Sequence, residues 1–426
     1  MIYKLHKNGS FNIHTIKTDR FKNVRMEIIF RNNIDPDTIA RRTCLFEMLL
    51  ENSLNYPCKR DMLLKQEELY NAVSYAINSK VGNQVVTSIC MDFLNPKYTD
   101  DDYLKEALEY PFDIIFNPNV TNEEFDEETL KTIKTRMESD IKCINEDPQR
   151  LSINKALKAM DKKSISCVDL NGTLEDIAKI TTHNLYEEWE YILNHDYIDV
   201  FIIGDIDMDK AIDYIHNKAC FTTIKNHELI LEVPNRATKK VKVISDTSSF
   251  SQSQVVFILN TGVLTSDEKK YAANIYNMIL GGGSLETKLY RNLRDKNSLC
   301  YSVRSIYQKN DNLIIIHTAV DKKNVEKTVK LIKKTIEEMA SGDVIDSEIE
   351  RATSSIVTAI NMSLDQPGRI IDQYLFQYIS DLDDIEERLE KYAQVTVADV
   401  LNVAKKVSIN TIYTLESGGK HEKNKN

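Results

Sequence analysis

The chain has 426 residues, 42% of them apolar and 28% charged, with a formal net charge of -10. That length exceeds what one hydrophobic core usually serves, so two or more domains are expected, and the ordinary apolar share excludes a disordered chain. Excess acid without interleaved basic and aromatic residues argues against a nucleic-acid surface, and no run approaches the roughly 18 apolar residues of a membrane span.

MIYKLHKNGSFNIH, at the start, holds no apolar signal region, and export is not expected. Val24, Met26, Ile28 and Phe30 then alternate with Arg25 and Glu27, which predicts a strand with one buried face. Asp35, Pro36 and Asp37 open a helix that carries Ile39, Thr43, Phe46, Leu49 and Leu50 at helical spacing. A strand over Val85–Phe93 and a helix over Tyr103–Phe116 follow, with a break at Asn117 and Pro118. A long charged helix is predicted from Glu123 to Asn145, ending at Asp147-Pro148 because proline disfavours helix in the residue before it. A helix around Ala156, the segment Leu185–Leu193 with Trp189, and the apolar strand Val200–Asp205 complete the first half.

The second half repeats this order. Gln254–Leu259 and the helix DEKKYAANIYNMIL mirror Val24–Phe30 and the helix around Cys44, with Leu280 opposite Leu50 at an offset of 230. Pro367 stands opposite Pro148 at an offset of 219, after a comparable long helix, and VTVADVL mirrors ITTHNLY at an offset of 215. Two copies of one α+β domain are inferred: residues 1–220, a linker 221–239 containing Pro234, and residues 240–426. Each is expected to be a mostly antiparallel sheet with helices packed on one side. The final GGKHEKNKN reads as a frayed tail.

The stretch Leu280–Arg304, LGGGSLETKLYRNLRDKNSLCYSVR, stands out. Gly281, Gly282 and Gly283 are expected to supply left-handed conformations at a helix end. Leu285, Leu289, Tyr290 and Leu293 share the face of a second helix that ends at Arg294, and a strand over Leu299–Val303 points Tyr301 and Val303 the same way. Lys288 lacks the preceding Gly and following Ser/Thr of a phosphate-binding loop. Seven cysteines, at 44, 58, 90, 143, 167, 220 and 300, form no C-x-x-C pair, as expected of reduced thiols in a cytoplasmic protein. His216 and Cys220 have i, i+4 spacing, but one such pair makes no metal site.

With its repeat, its VFIIGDID and NEDP segments, and LGGG followed by Arg294-Asp295-x-x-x-Leu299-x-Tyr301, the chain resembles the insulinase-like (pitrilysin) metallopeptidases over nearly its full length. The resemblance implies duplicated α+β domains enclosing a peptide-sized chamber. It also implies a His-x-x-Glu-His zinc motif on the first long helix, but the matching positions hold Cys44, Glu47 and Met48, so both histidine ligands are missing. The third ligand position falls at or near Asp140, with Glu138 as its neighbour. Met48 is a soft thioether unsuited to Zn²⁺, and Cys44 and Met48 read most simply as packing residues. Cys44 as the nucleophile of an independent peptidase would need a histidine base that the sequence does not place.

The family's substrate-binding Arg and Tyr fall on Arg294 and Tyr301. A guanidinium can fork onto a carbonyl or carboxylate, and a phenol can donate to an oxygen that becomes negative during hydrolysis. Spacing alone favours an Arg cap at a helix end and a Tyr packed in a sheet; the resemblance turns the balance toward substrate binding. The resemblance thus implies a non-catalytic subunit that binds no metal itself. Its expected partner is a homologous zinc-bearing peptidase subunit, in a heterodimer, or a second copy of this chain; the ligand is a peptide held extended against an edge strand. The finer likeness is to bacterial members associated by name with modification of elongation factor P. The alternative is a scaffold or peptide-binding protein of the same fold without proteolysis.

Overall fold

The structure, a computed structural model, describes residues 1–222, 227–234, 240–283, 285–380 and 382–418. In the first half, β1 (Ile2–Asn8) and β2 (Phe11–Lys17) form a hairpin about Gly9, whose φ of 64° meets the left-handed demand of the turn. Then come β3 (Asn23–Asn33), α1 (Ile39–Leu49), α2 (Lys59–Glu68), β4 (Val73–Val81), β5 (Gln84–Leu94) and α3 (Leu104–Phe116). The short strands β6 (Val120–Thr121) and β7 (Glu124–Phe125) precede α4 (Glu127–Glu146), α5 (Pro148–Met160), α6 (Leu174–Ala178), α7 (Thr182–His195), β8 (Tyr197–Gly204) and α8 (Met208–Lys218).

In the second half, β9 (Lys242–Ser248) and β10 (Ser253–Asn260) lead into α9 (Ala273–Leu280) and the short α10 (Lys288–Tyr290). These are followed by β11 (Val303–Gln308), β12 (Leu313–Val320), α11 (Val325–Ala340), α12 (Asp346–Ser363), α13 (Pro367–Ser380), α14 (Ile385–Gln394), α15 (Val397–Lys406) and β13 (Ser408–Ser417).

The chain forms two units. One comprises Met1–Lys142, Val168–Leu231 and Gln366–Asp372; the other comprises Cys143–Cys167, Glu232–Asp365 and Gln373–Asn426. The first holds a sheet in the order β1-β2-β8-β3-β5-β4, the second a sheet in the order β11-β12-β10-β13-β9. Read from β9, the second sheet repeats β2-β8-β3-β5-β4 strand for strand. Even the parallel neighbours correspond, β2 with β8 and β9 with β13, in otherwise antiparallel sheets. The sequence repeat is therefore a repeat of topology, with β1 added to the first copy.

Each sheet buries one face under a layer of helices. In the first unit, Cys44, Leu45, Phe46 and Met48 of α1 join Met26, Ile28, Ile89, Met91, Val200 and Ile202 in one core. In the second, Ile275 and Leu280 of α9, Ile332 of α11 and Val403 of α15 join Val255, Phe257, Leu259 and Ile314. The opposite face takes a single helical segment. Ala156, Leu157 and Met160 of α5 cover Val256, Ile258, Ile315 and Tyr413 in the second unit, and Gly368, at the start of α13, lies over Arg25 in the first. Pro148 and Pro367, the repeat equivalents, begin these two helices, so each half of the chain lends its equivalent segment to the other unit.

That exchange corrects the reading of β3. Arg25 and Glu27 do not face water: Glu27 is only 4% exposed, and Arg25 Nε donates to its Oε1 at 2.6 Å while Nη1 reaches Asp92 at 3.0 Å. The long charged helix also begins later than expected, at Glu127, because Asn122 (φ 54°) and Glu123 (φ 63°) make the tight turn between β6 and β7. Asp147 both follows α4 and caps α5, accepting from Gln149 N at 2.8 Å and Arg150 N at 3.1 Å. Of the expected linker and tail, residues 223–226, 235–239 and 419–426 lie outside the described residues.

Candidate functional site

In the first unit, α1 places the degenerate zinc-motif positions on two different surfaces. Cys44 and Met48, one turn apart, are buried against the sheet. Burial, and secondarily the Glu47 charge, push the Cys44 thiol up to about 12, so it stays protonated at neutral pH. Glu47 points away from them toward α4. There Arg136 forks onto its Oε2, from Nε at 3.0 Å and Nη2 at 2.5 Å, and Nη1 reaches Glu51 at 3.4 Å. Asp140, one turn beyond Arg136, is exposed. A protonated thiol, a thioether and a carboxylate already paired with a guanidinium do not fit Zn²⁺, which takes thiolate, imidazole and carboxylate donors around one point. Among the described residues, no three His, Cys, Asp or Glu side chains are grouped to hold a metal ion.

In the second unit, the glycine-rich stretch builds a different arrangement. Only Gly283 (φ 132°) of the three glycines is left-handed; Gly281 is extended at φ -168°. Space is what Gly281 and Gly282 provide. A Cβ on Gly281 would lie 3.0 Å from Ser305 N and Leu289 Cδ1, and one on Gly282 would lie 2.8 Å from Met278 Cα. Ser284 lies outside the described residues. The expected second helix shrinks to α10 and the wider turn Arg291–Asp295, starting after Thr287, whose hydroxyl accepts from Tyr290 N at 3.3 Å. Leu289 and Leu293 anchor it in the core, whereas Leu285 is 68% exposed and outside the helix. Lys288 is buried as an ion pair, 2.9 Å from Asp343 and 3.1 Å from Glu348.

The strand also begins later than expected. Ser298, at φ 50°, turns the chain back; Leu299 N reaches Leu293 O at 2.9 Å, and β11 starts only at Val303. Tyr301 therefore sits in the connection, 81% exposed, while Val303 is buried. This turn brings Arg294 and Tyr301 together. Arg294 Nη1 donates to Tyr301 O at 2.9 Å, and its guanidinium carbon lies 4.8 Å from the Tyr301 ring centre and 5.0 Å from that of Tyr290. Two tyrosine faces thus hold a permanently charged, planar group at the surface. Tyr290, read in the sequence only as part of an apolar face, is the member that reading missed; its i, i+4 spacing to Arg294 was the available signal. Arg136 carried no comparable signal, since 89 residues separate it from Glu47.

A model of the peptidase M16 inactive domain matches residues 179–356. A Bacillus subtilis (strain 168) protein described as "Probable inactive metalloprotease YmfF" is 24% identical over 416 residues, 96% of each chain. The two matches liken the chain to the M16 peptidase inactive domain, over residues 179–356, and to an inactive metalloprotease, over nearly the full length. It is similar to a solved conserved protein from Enterococcus faecalis V583, with TM-score 0.90, 26% identity and 97% of each chain covered. The peptidase M16 inactive domain from Pseudomonas fluorescens shares the fold at TM-score 0.79 and 16% identity, over 97% of this chain and 98% of that one. The packing of Cys44 and the pairing of Glu47 leave the zinc-motif positions of this chain unsuited to a metal, in keeping with the description of that Bacillus subtilis relative. Among the described residues, no helix is long and apolar enough to cross a membrane.

Proposed function

We propose that this chain is a non-catalytic, peptide-binding subunit of a zinc peptidase whose metal is carried by a homologous partner. The observation that carries this reading is the half-buried guanidinium of Arg294 held between Tyr290 and the exposed Tyr301 in a chain whose zinc-motif positions are spent on packing and on an ion pair. Packing alone does not call for a tyrosine that is four-fifths exposed. The Tyr301 carbonyl takes one of five guanidinium N–H groups, which leaves donors for a peptide carbonyl or carboxylate. The Tyr301 hydroxyl would donate to a peptide oxygen that gains charge during hydrolysis, while a partner's zinc would supply the Lewis acid.

The test is peptide hydrolysis by the chain assembled with a zinc-bearing homologue, with peptides from elongation factor P among the first clients. Arg294→Ala and Tyr301→Phe are expected to lower kcat/KM by roughly tenfold or more, as loss of a charged or oxyanion contact does, with assembly unchanged. Full turnover in both variants would remove the role given to the pair and favour a scaffold that keeps the fold without proteolysis.

A further inference from the structure

The two sheets differ at one edge. In the first unit β2 pairs with β8 on one side and with β1 on the other, antiparallel over seven residue pairs from Ile2 with Lys17 to Asn8 with Phe11. Its equivalent β9 pairs with β13 from Lys242 to Ser248 and, among the described residues, the sheet ends there. The consequence is visible in burial. Every residue of β2 is buried or half-buried, whereas Val243 in β9 is 70% exposed and Val241 beside it 46%. An open edge is a row of unpaired N–H and C=O groups, and proteins usually blunt it with proline, a bulge or like charges. β9 has no proline, its register with β13 is unbroken, and its two charges, Lys242 and Asp246, are opposite in sign.

We propose that β9 is the attachment site for a second copy of this chain, β9 against β9, antiparallel about a twofold axis at Ile244. The first unit shows that this edge takes an antiparallel strand. The sequence KVISDTS is complementary to itself in one register: Lys242 faces Asp246 of the second copy, and Asp246 faces its Lys242. Ile244 then faces Ile244, Val243 faces Ser245, and Val241 faces Thr247. Moving the axis two residues either way sets Lys242 against Lys242 or Asp246 against Asp246, which costs rather than stabilises. Both charged side chains are already oriented. Lys242 Nζ donates to Met160 O at 2.7 Å, and Asp246 accepts from the Tyr413 hydroxyl at 2.7 Å, so they lie on the α5 side of the sheet. Two five-stranded sheets would become one of ten strands. Seven residue pairs fall short of the roughly 1,600 Å² of a standard interface, so the association is a weak, concentration-dependent one.

Sedimentation velocity of the full chain over about 1 to 200 μM, the range in which weak interfaces populate, reads it directly. The expected result is a shift from monomer to dimer with concentration. Val243→Lys, at a position open enough to accept lysine, is expected to abolish the shift while its thermal melt stays that of the parent. Asp246→Lys is expected to weaken dimerisation about tenfold, and adding Lys242→Asp to restore it. A parent chain that stays monomeric throughout, a Val243→Lys chain that dimerises normally, or a double variant without recovery each overturns the proposal. Gly418 N donates to Ser248 O at 2.7 Å, at the end of β9. A chain ending at Gly418 that dimerises where the parent does not would assign the edge to residues 419–426 of the same chain and overturn the proposal as well.

Discussion

Tyr276 tests the description of the second core most directly. It lies in α9 with no exposure, packed with Phe257, Ile275 and Leu280, and its hydroxyl has no hydrogen-bond partner among the described residues, while burial pushes the phenol above its ordinary range. A buried hydroxyl left unpaired costs about 1–3 kcal/mol. Tyr276→Phe removes that cost and keeps the ring. The small gap left by the oxygen takes back up to about 1 kcal/mol, as a methyl-sized void does. The balance is a stabilisation of about 1 kcal/mol, or roughly 2–4 °C in the melting temperature of a unit of about 200 residues. Urea unfolding followed by circular dichroism should show a higher midpoint at unchanged slope. A midpoint that is unchanged or lower would refute the reasoning, because it would mean that the hydroxyl holds a partner, such as a buried water, that the variant loses.

Three further outcomes follow from the same structure. Brief alkylation of the native chain at pH 7, read by peptide mass mapping, should label the exposed Cys58, Cys143 and Cys220 while Cys44 and Cys90 react only after unfolding, since burial raises both of the latter thiols. His317, hydrogen-bonded to Gln254 at 2.9 Å, is lowered by burial to about 4 from 6.5. The unfolded chain therefore binds a proton there first, so this contribution is complete above pH 6.5 and is lost as pH falls toward 4; His317→Gln should flatten that part of a stability-against-pH curve. Gly282→Ala should destabilise by about 1–3 kcal/mol in the same urea assay, because the added Cβ meets Met278 Cα at 2.8 Å and Asn277 O at 2.9 Å, backbone atoms that cannot turn aside.

What the sequence determined by itself is what local periodicity and repetition encode. Alternation marked β3, an apolar run marked β8, the repeat marked β10, helical spacing marked α1 and α9, and the offsets between Leu50 and Leu280 and between Pro148 and Pro367 announced a duplicated fold. Resemblance, residue by residue, singled out Arg294 and Tyr301 and the missing histidines at Cys44 and Met48. Only the tertiary structure decided which faces are covered and which groups meet. Glu27 alternates as a solvent-facing residue should, yet it is buried beneath a segment more than 300 residues away in the chain. Glu47 was legible as a surviving carboxylate; the arginine that neutralises it lies on α4. Tyr301 was assigned to a strand by its neighbours, but the left-handed Ser298 and the bond from Leu299 to Leu293 delay β11 and leave the ring exposed over Arg294. The physical reason is common to all three. A period reports how a segment presents its side chains, whereas the partner that meets each face is chosen by packing and charge across distances that no local pattern spans.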